Sequence, residues 1–274
     1  MKKQRIVMLI ILFLMVGSVA ASCSSKIKSP ESLDVAAVNV DEFFSKGEGT
    51  FILKDLESEK MFVYNKERAG NQTTPNSTFK IMNSLIGLQV KAVKDEYEIK
   101  HWDGTKRTLD NWNQDHTLGS GMRNSVVWYY QEMARDIGKE RMQEWLDRCS
   151  YGNRDISGGI DRFWLNSSLK ISPLEQIDFL EGLYRETLPF DKGVMKTVKR
   201  IMIQQEGDEY ILYGKTGSSG FENGLSTGWF VGVVVIKGHP YAFATNLDSQ
   251  EGIAGPVAKK VTIEILQKYN LITR

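Results

Sequence analysis

Strand-forming segments lie at both ends of this chain and helical periods fill its middle, which leaves few folds open. Thr50 to Leu56 and Met61 to Tyr64 alternate apolar and polar residues around the turn-like Glu57-Ser58-Glu59 and read as a hairpin. Strands return only at Tyr210 to Lys215, Gly228 to Lys237 and Tyr241 to Asn246, rich in Val, Ile, Phe and Tyr, and a last helix covers about Ala254 to Tyr269. Between them Ser125 to Ile137, Lys139 to Arg148 and Ser172 to Glu186 carry helical periods, the last opening on a Ser172-Pro173-Leu174-Glu175 capping box. An isolated hairpin is marginal in water, so the N-terminal strands need the C-terminal ones. The expected class is α/β in the α+β sense. One antiparallel sheet is built from N- and C-terminal strands and flanked by helices, with an all-helical domain inserted at roughly 90–190.

The first 22 residues stand outside this plan. Lys2, Lys3 and Arg5 precede an apolar run from Ile6 to Val16, followed by Gly17, Ser18, Ala20, Ala21 and Ser22. That run is too short to span a bilayer and has the build of a secretory signal. Cys23 follows Ala20-Ala21-Ser22 as in a lipobox, although Ala20 stands where Leu is usual, so lipidation of Cys23 and a membrane tether are expectations. The division is then 1–22 signal peptide, 23–35 polar tether and 36–274 functional domain. The expected location is exported: periplasmic, secreted or lipid-anchored on the outer face of a bacterial cytoplasmic membrane.

Cutting before Cys23 removes three of 35 basic residues and none of 34 acidic ones, which takes the net charge from +1 to −2. No basic cluster remains to attract a polyanion, so nucleic acid is excluded as a partner. Of the two cysteines only Cys149 stays free, which precludes an internal disulfide; it follows Trp145, Leu146 and Arg148 and reads as a structural thiol. His101, His116 and His239 are isolated and lack metal-ligand spacing, so no metal is expected.

Three short segments carry chemistry. Thr74-Pro75 reads as a helix N-cap with Pro at the first position, and Phe79, Met82, Leu85, Ile86 and Val90 follow at helical spacing. Ser77-Thr78-Phe79-Lys80 then places an amine one turn from a hydroxyl in the first turn of that helix. Lys215-Thr216-Gly217, ending a strand ahead of Ser218, supplies a positive charge, a hydroxyl and a close backbone approach, as in serine acyl-transfer enzymes acting on β-lactams or peptidoglycan. A phosphate loop is ruled out, since Glu209 stands where it needs Gly. Ser125-Val126-Val127 opens a helix and offers Val127 where an Asn is the alternative, which predicts a dry neighbourhood for Lys80. Burial lowers a lysine pKa, and a neutral amine adds carbon dioxide.

With these elements, together with Trp128-Tyr129-Tyr130, Tyr151-Gly152-Asn153 and Phe163-Trp164-Leu165, the sequence resembles the class D (oxacillinase-type) serine β-lactamases over nearly the whole mature chain. The resemblance implies the DD-peptidase/β-lactamase fold and hydrolysis of β-lactams through an acyl-enzyme. It implies Ser77 as nucleophile, Lys80 as base in N-carboxylated form, Ser125 as proton relay and Lys215 as its assistant. The backbone N–H groups of Ser77 and Ser218 would form the oxyanion hole, and Val127 and Trp164 the carbamate pocket. Thr216, Gly217, Ser218, Trp112, Met122 and Lys259 are the expected substrate contacts. No cofactor is expected beyond the carbon dioxide or bicarbonate that carboxylates Lys80. Asn166, not Glu, follows Trp164-Leu165, so no carboxylate base comes from that loop.

One departure concerns the substrate carboxylate: Ala258 stands where the family often has Arg, which leaves Thr216, Ser218 or Lys259 to bind it. Two other readings stay open, a sensor that acylates and turns over poorly, and a penicillin-binding transpeptidase, for which Asn in place of Val127 would be expected. The partners expected are β-lactam small molecules, with the protein a monomer or weak dimer.

Overall fold

The computed structural model describes residues 33–34, 37–44, 49–165, 168–220, 224–250 and 252–273. The expected signal, Cys23, most of the tether and Asn166 lie outside the described residues. Strands β1 (Gly49–Asp55) and β2 (Met61–Tyr64) form the expected hairpin, which turns where Asp55 Oδ1 accepts from the amides of Glu57 and Ser58 at 2.8 and 3.1 Å. Then follow α1 (Lys66–Gly70), α2 (Lys80–Gln89), β3 (Ile99–Lys100), β4 (His116–Thr117), α3 (Leu118–Arg123), α4 (Val127–Ile137), α5 (Lys139–Arg148), α6 (Pro173–Tyr184) and α7 (Lys192–Ile201). The chain ends in β5 (Ile203–Glu206), β6 (Tyr210–Ser218), β7 (Ser226–Ile236), β8 (His239–Ser249) and α8 (Ala254–Lys268).

The six-stranded sheet has the order β2-β1-β8-β7-β6-β5 and is antiparallel throughout. Its two termini meet at the β1–β8 pair, in register from Gly49↔Leu247 to Asp55↔Tyr241. Alternation along β7 feeds two cores. Phe230 and Val234 join Leu212, Phe243, Ala258 and Ile265 in one, while Trp229, Val231 and Val233 join the large core of α2, α4 and α6 in the other. Sheet and helices therefore bury both faces of the strands that carry the site.

Three expectations need correction. Pro75 does not open an α-helix: Asn76–Phe79 form a 3-10 turn, no side chain caps it, and α2 begins only at Lys80. Asn76, the first residue of that turn, has φ +50°, a left-handed conformation that an Asn side chain tolerates and that a regular α-helical first turn does not use. Ser125 is likewise outside its helix. It follows the C-cap Asn124 of α3 with φ +55°, its amide bonded to Met122 O and that of Val126 to Gly121 O, a Schellman ending at a position where Gly is usual. Lastly, β6 does not stop at Lys215 but runs to Ser218, paired with β7 through Ser218↔Gly228. The capping box at Ser172 and the Lys139–Arg148 helix are as expected. Strand β5 escaped notice because Ile203-Gln204-Gln205-Glu206 is a polar edge strand without an alternating apolar face.

Candidate active site

Short β5 sets the stage. It pairs with β6 only from Ile203↔Tyr213 to Glu206↔Ile211, so the Lys215–Ser218 end of β6 keeps one edge open beside the Ser77 turn. Contact there is tight. A Cβ on Gly217 would come within 2.8 Å of Pro75 O and 3.3 Å of the Thr78 amide nitrogen, so only glycine lets the strand lie against that turn.

Two serine–lysine pairs face this edge. Lys80 Nζ lies 2.8 Å from Ser77 Oγ and, on β6 itself, Lys215 Nζ lies 3.0 Å from Ser125 Oγ and 3.0 Å from Thr216 O. Lys80 is 0% exposed, with the Tyr130 ring 5.3 Å from its amine and no carboxylate beside it among the described residues. Burial first, and then the charge of Lys215, push its amine well below the ordinary lysine range. The same burial, with the charge of Lys259 adding, pulls Lys215 down to about 7. Burial thus favours the uncharged form of Lys80, and a Ser hydroxyl beside such an amine has a candidate base in hydrogen-bond reach.

Around Phe79, the residue before Lys80, the surroundings are aromatic. Phe79 stacks on Trp164 at 5.4 Å and meets Phe163 and Tyr151 edge-on at 5.0 and 5.8 Å. Trp164 is fully buried, and its Nε1 donor meets no acceptor among the described residues. An orphaned N–H in an apolar pocket costs about 1–3 kcal/mol and marks a place where an anionic acceptor is favourable. Val127 is the half-buried first residue of α4. The Tyr151-Gly152-Asn153 turn is held by Asn153, whose amide donates to Lys170 O and whose Oδ1 accepts from the Lys170 amide, both at 2.9 Å.

The remaining expected residues scatter more widely. Half-buried Trp112 ties its loop to the Ser125 turn: its indole donates to Asn124 O at 3.0 Å, and its carbonyl accepts from Trp128 Nε1 at 2.8 Å. Met122 is 1% exposed inside the large core, so it backs the site and does not line an open surface. Ser218 Oγ accepts from the Gly255 amide at 2.9 Å, docking α8 on β6. Ala258 is fully buried under the sheet, whereas Lys259 bonds Gln204 Oε1 at 2.8 Å and lies 5.8 Å from the Phe230 ring, again with no acid beside it among the described residues. Cys149 caps α5, and burial pushes its thiol up to about 12, the profile of an inert sulfur.

Comparison with known proteins matches this geometry to one family. Residues 35–267 fit the penicillin-binding protein transpeptidase domain. The whole chain is 55% identical to the probable β-lactamase YbxI of Bacillus subtilis, covering 100% of each. The chain belongs to the class D β-lactamases. It is 39% identical to β-lactamase OXA-48 of Klebsiella pneumoniae over 83% of this chain and 85% of that one. Among solved structures, class D β-lactamase BAT-2 superposes with a TM-score of 0.84 at 61% identity, over 89% of this chain and 100% of the other. This class D β-lactamase thus has the penicillin-recognising fold expected of it, and its β-lactamase activity is part of that membership.

Sequence reading passed over Asn76, Thr78, Trp229 and Gln176. Trp229 Nε1 donates to Thr74 O at 3.0 Å and Gln176 Nε2 to Thr78 Oγ1 at 2.9 Å, so both hold the Ser77 turn. Gln176 did leave a signal, since it interrupts the apolar stripe of Phe179, Leu180 and Leu183 on α6.

Proposed function

We propose that this enzyme opens the β-lactam ring of penicillin-type antibiotics through an acyl-enzyme on Ser77, confers resistance to them, and uses Lys80 in N-carboxylated form. The observation that carries the reading is the isolated, fully buried amine of Lys80 at 2.8 Å from Ser77 Oγ. Carboxylation joins the neutral Nζ to the carbon of carbon dioxide and releases one proton. The site fits the group: the amine is fully buried, which favours its uncharged form, and the Trp164 N–H donor, unpaired among the described residues, is carried on the ring stacked against Phe79, next to Lys80 in the chain. When bound, the group supplies a carboxylate-like base for both half-reactions.

Ser77 Oγ attacks the lactam carbonyl and gives its proton toward Lys80. The tetrahedral oxyanion is received by the amides of Ser77 and Ser218, each such donor contributing on the order of 3 kcal/mol. Ser125 passes a proton to the lactam nitrogen as the C–N bond breaks, and the ammonium form of Lys215, still populated at pH 7 with its pKa at about 7, resupplies that proton through the 3.0 Å contact. Water then cleaves the Ser77 ester. Thr216, Gly217 and Ser218 line the open strand edge where substrate lies, and Lys259 contributes the charge that Ala258 cannot. Export by the N-terminal signal, with a lipid on Cys23, puts the enzyme where the drugs arrive; labelled fatty acid is expected in the wild type and absent from Cys23→Ala.

The deciding experiment follows acylation and deacylation of a chromogenic cephalosporin in carbon-dioxide-depleted buffer with and without bicarbonate. Turnover is expected to fall on depletion and return with bicarbonate, and stoichiometric acylation without turnover would assign the chain to the sensors instead. Trp164→Phe keeps the stacked ring and deletes the donor. It is expected to slow deacylation about tenfold to a hundredfold at ambient carbon dioxide and to recover with added bicarbonate. Equal loss at every bicarbonate concentration would remove Trp164 from that role.

A further inference from the structure

Gln176 takes no part in the chemistry above, yet it is fully buried and its amide points at the nucleophile's turn. Its Nε2 donates to Thr78 Oγ1 at 2.9 Å, and Thr78 Oγ1 in turn donates to Pro75 O at 2.8 Å. The Thr78 amide bonds the same Pro75 carbonyl at 3.1 Å. Helix α6 therefore reaches, through one hydroxyl, the carbonyl that closes the 3-10 turn bearing Ser77. That turn needs an external hold. It contains the left-handed Asn76, and 3-10 hydrogen bonds are weaker than those of an α-helix.

On its other side the turn meets Gly217 without space for a methyl group. Ser77 is thus carried by a piece of backbone fixed between α6 and β6, and the next residue of β6 is Ser218. Any slack at Thr78 changes the separation of the Ser77 and Ser218 amides. Gln176 Oε1 is itself buried and meets no partner among the described residues, so its amide is kept at a cost to the core. On the face it shares with Phe179, Leu180 and Leu183, an apolar residue at 176 would serve the core at least as well.

We propose that Gln176 is a positioning residue: through the Thr78 hydroxyl it holds the Ser77 turn against Gly217 and so sets the spacing of the two backbone donors that receive the oxyanion. This rests on the acyl-transfer reading above. A positioning error of this kind acts on the transition state and leaves the encounter complex alone.

The test compares pre-steady-state acylation by a chromogenic cephalosporin in the wild type, Gln176→Met, Thr78→Val, their double variant and Thr78→Ser. Only folded, burst-titrated enzyme is counted. Gln176→Met and Thr78→Val are each expected to lower the acylation rate constant about tenfold to a hundredfold with the pre-acylation dissociation constant unchanged. Affinity for a boronic acid that mimics the tetrahedral state falls in parallel. The double variant is no slower than Thr78→Val, because both break one chain of contacts, and Thr78→Ser recovers most of the rate. If Gln176→Met does not fold, Thr78→Val against Thr78→Ser decides. Melting temperatures that drop while the acylation constant stays within about twofold of wild type would overturn the assignment. Mass spectrometry of the wild type separates the two readings: no adduct on Ser77 refutes the acyl-transfer reading, whereas an adduct formed equally fast in Gln176→Met refutes only this one.

Discussion

Lys80→Ala is expected to reduce turnover of a chromogenic cephalosporin by about 10³–10⁴-fold, slowing acylation and deacylation together. Among the described residues the Lys80 amine, at 2.8 Å, is the base within hydrogen-bond reach of Ser77, and the sequence has Asn, not Glu, after Leu165. The residual rate comes from the oxyanion donors and from binding, which survive the substitution. The fold should survive too. Lys80 packs its stem in the large core, and removing a buried amine that no acid compensates offsets part of the cost of the cavity left under Tyr130. Stopped-flow measurement of both steps on folded protein checks this, and a variant that retains either step at the wild-type rate would take the base role away from Lys80.

Lys215→Met should separate stability from activity. Acylation is expected to fall about a hundredfold, because Ser125 loses its 3.0 Å donor and the proton for the leaving nitrogen has no source. Stability moves the other way. In the folded protein the amine sheds its proton near pH 7, whereas in the unfolded chain it holds it to about 10.5. Between those values the unfolded state binds more protons, so this lysine's cost to folding is complete below pH 7 and fades as pH rises toward 10.5. Met fills the same volume without that cost. The variant is expected to melt on the order of 5 °C higher at pH 6–7, with the gap closing by pH 10. A melting temperature lowered equally at all pH values would show that Lys215 is uncharged at no cost, contrary to its burial.

What the sequence disclosed follows from where side-chain type determines structure and where backbone does. The hairpin, the long strands and the α5 and α6 helices show in apolar period and capping residues, and Ser77, Lys80, Ser125 and Lys215 show in their spacing. The turns that present the two serines were not legible. Both depend on left-handed residues, Asn76 and Ser125, at positions where no Gly stands to announce them. The Asn76 turn is also held from outside, since Thr74 O accepts from Trp229 Nε1, a partner that no local window contains. For the same reason Met122 was expected at the cleft and lies in the core, and Gln176 was passed over as one more helical position.

The pairing of β1 with β8 has a consequence for how the chain comes to be folded. Gly49 and Leu247 are near opposite ends of the sequence, and the central part of the sheet exists only once both are present. Closing a loop of that size is entropically demanding and comes late, since such non-local pairing slows folding. A chain that lacks its C-terminal strands therefore holds its helices without the full sheet they pack on, and the site, which joins β6 to the Ser77 turn across a long stretch of sequence, is expected to form late. Any route that needs this polypeptide extended has until the synthesis of its final strand to use it.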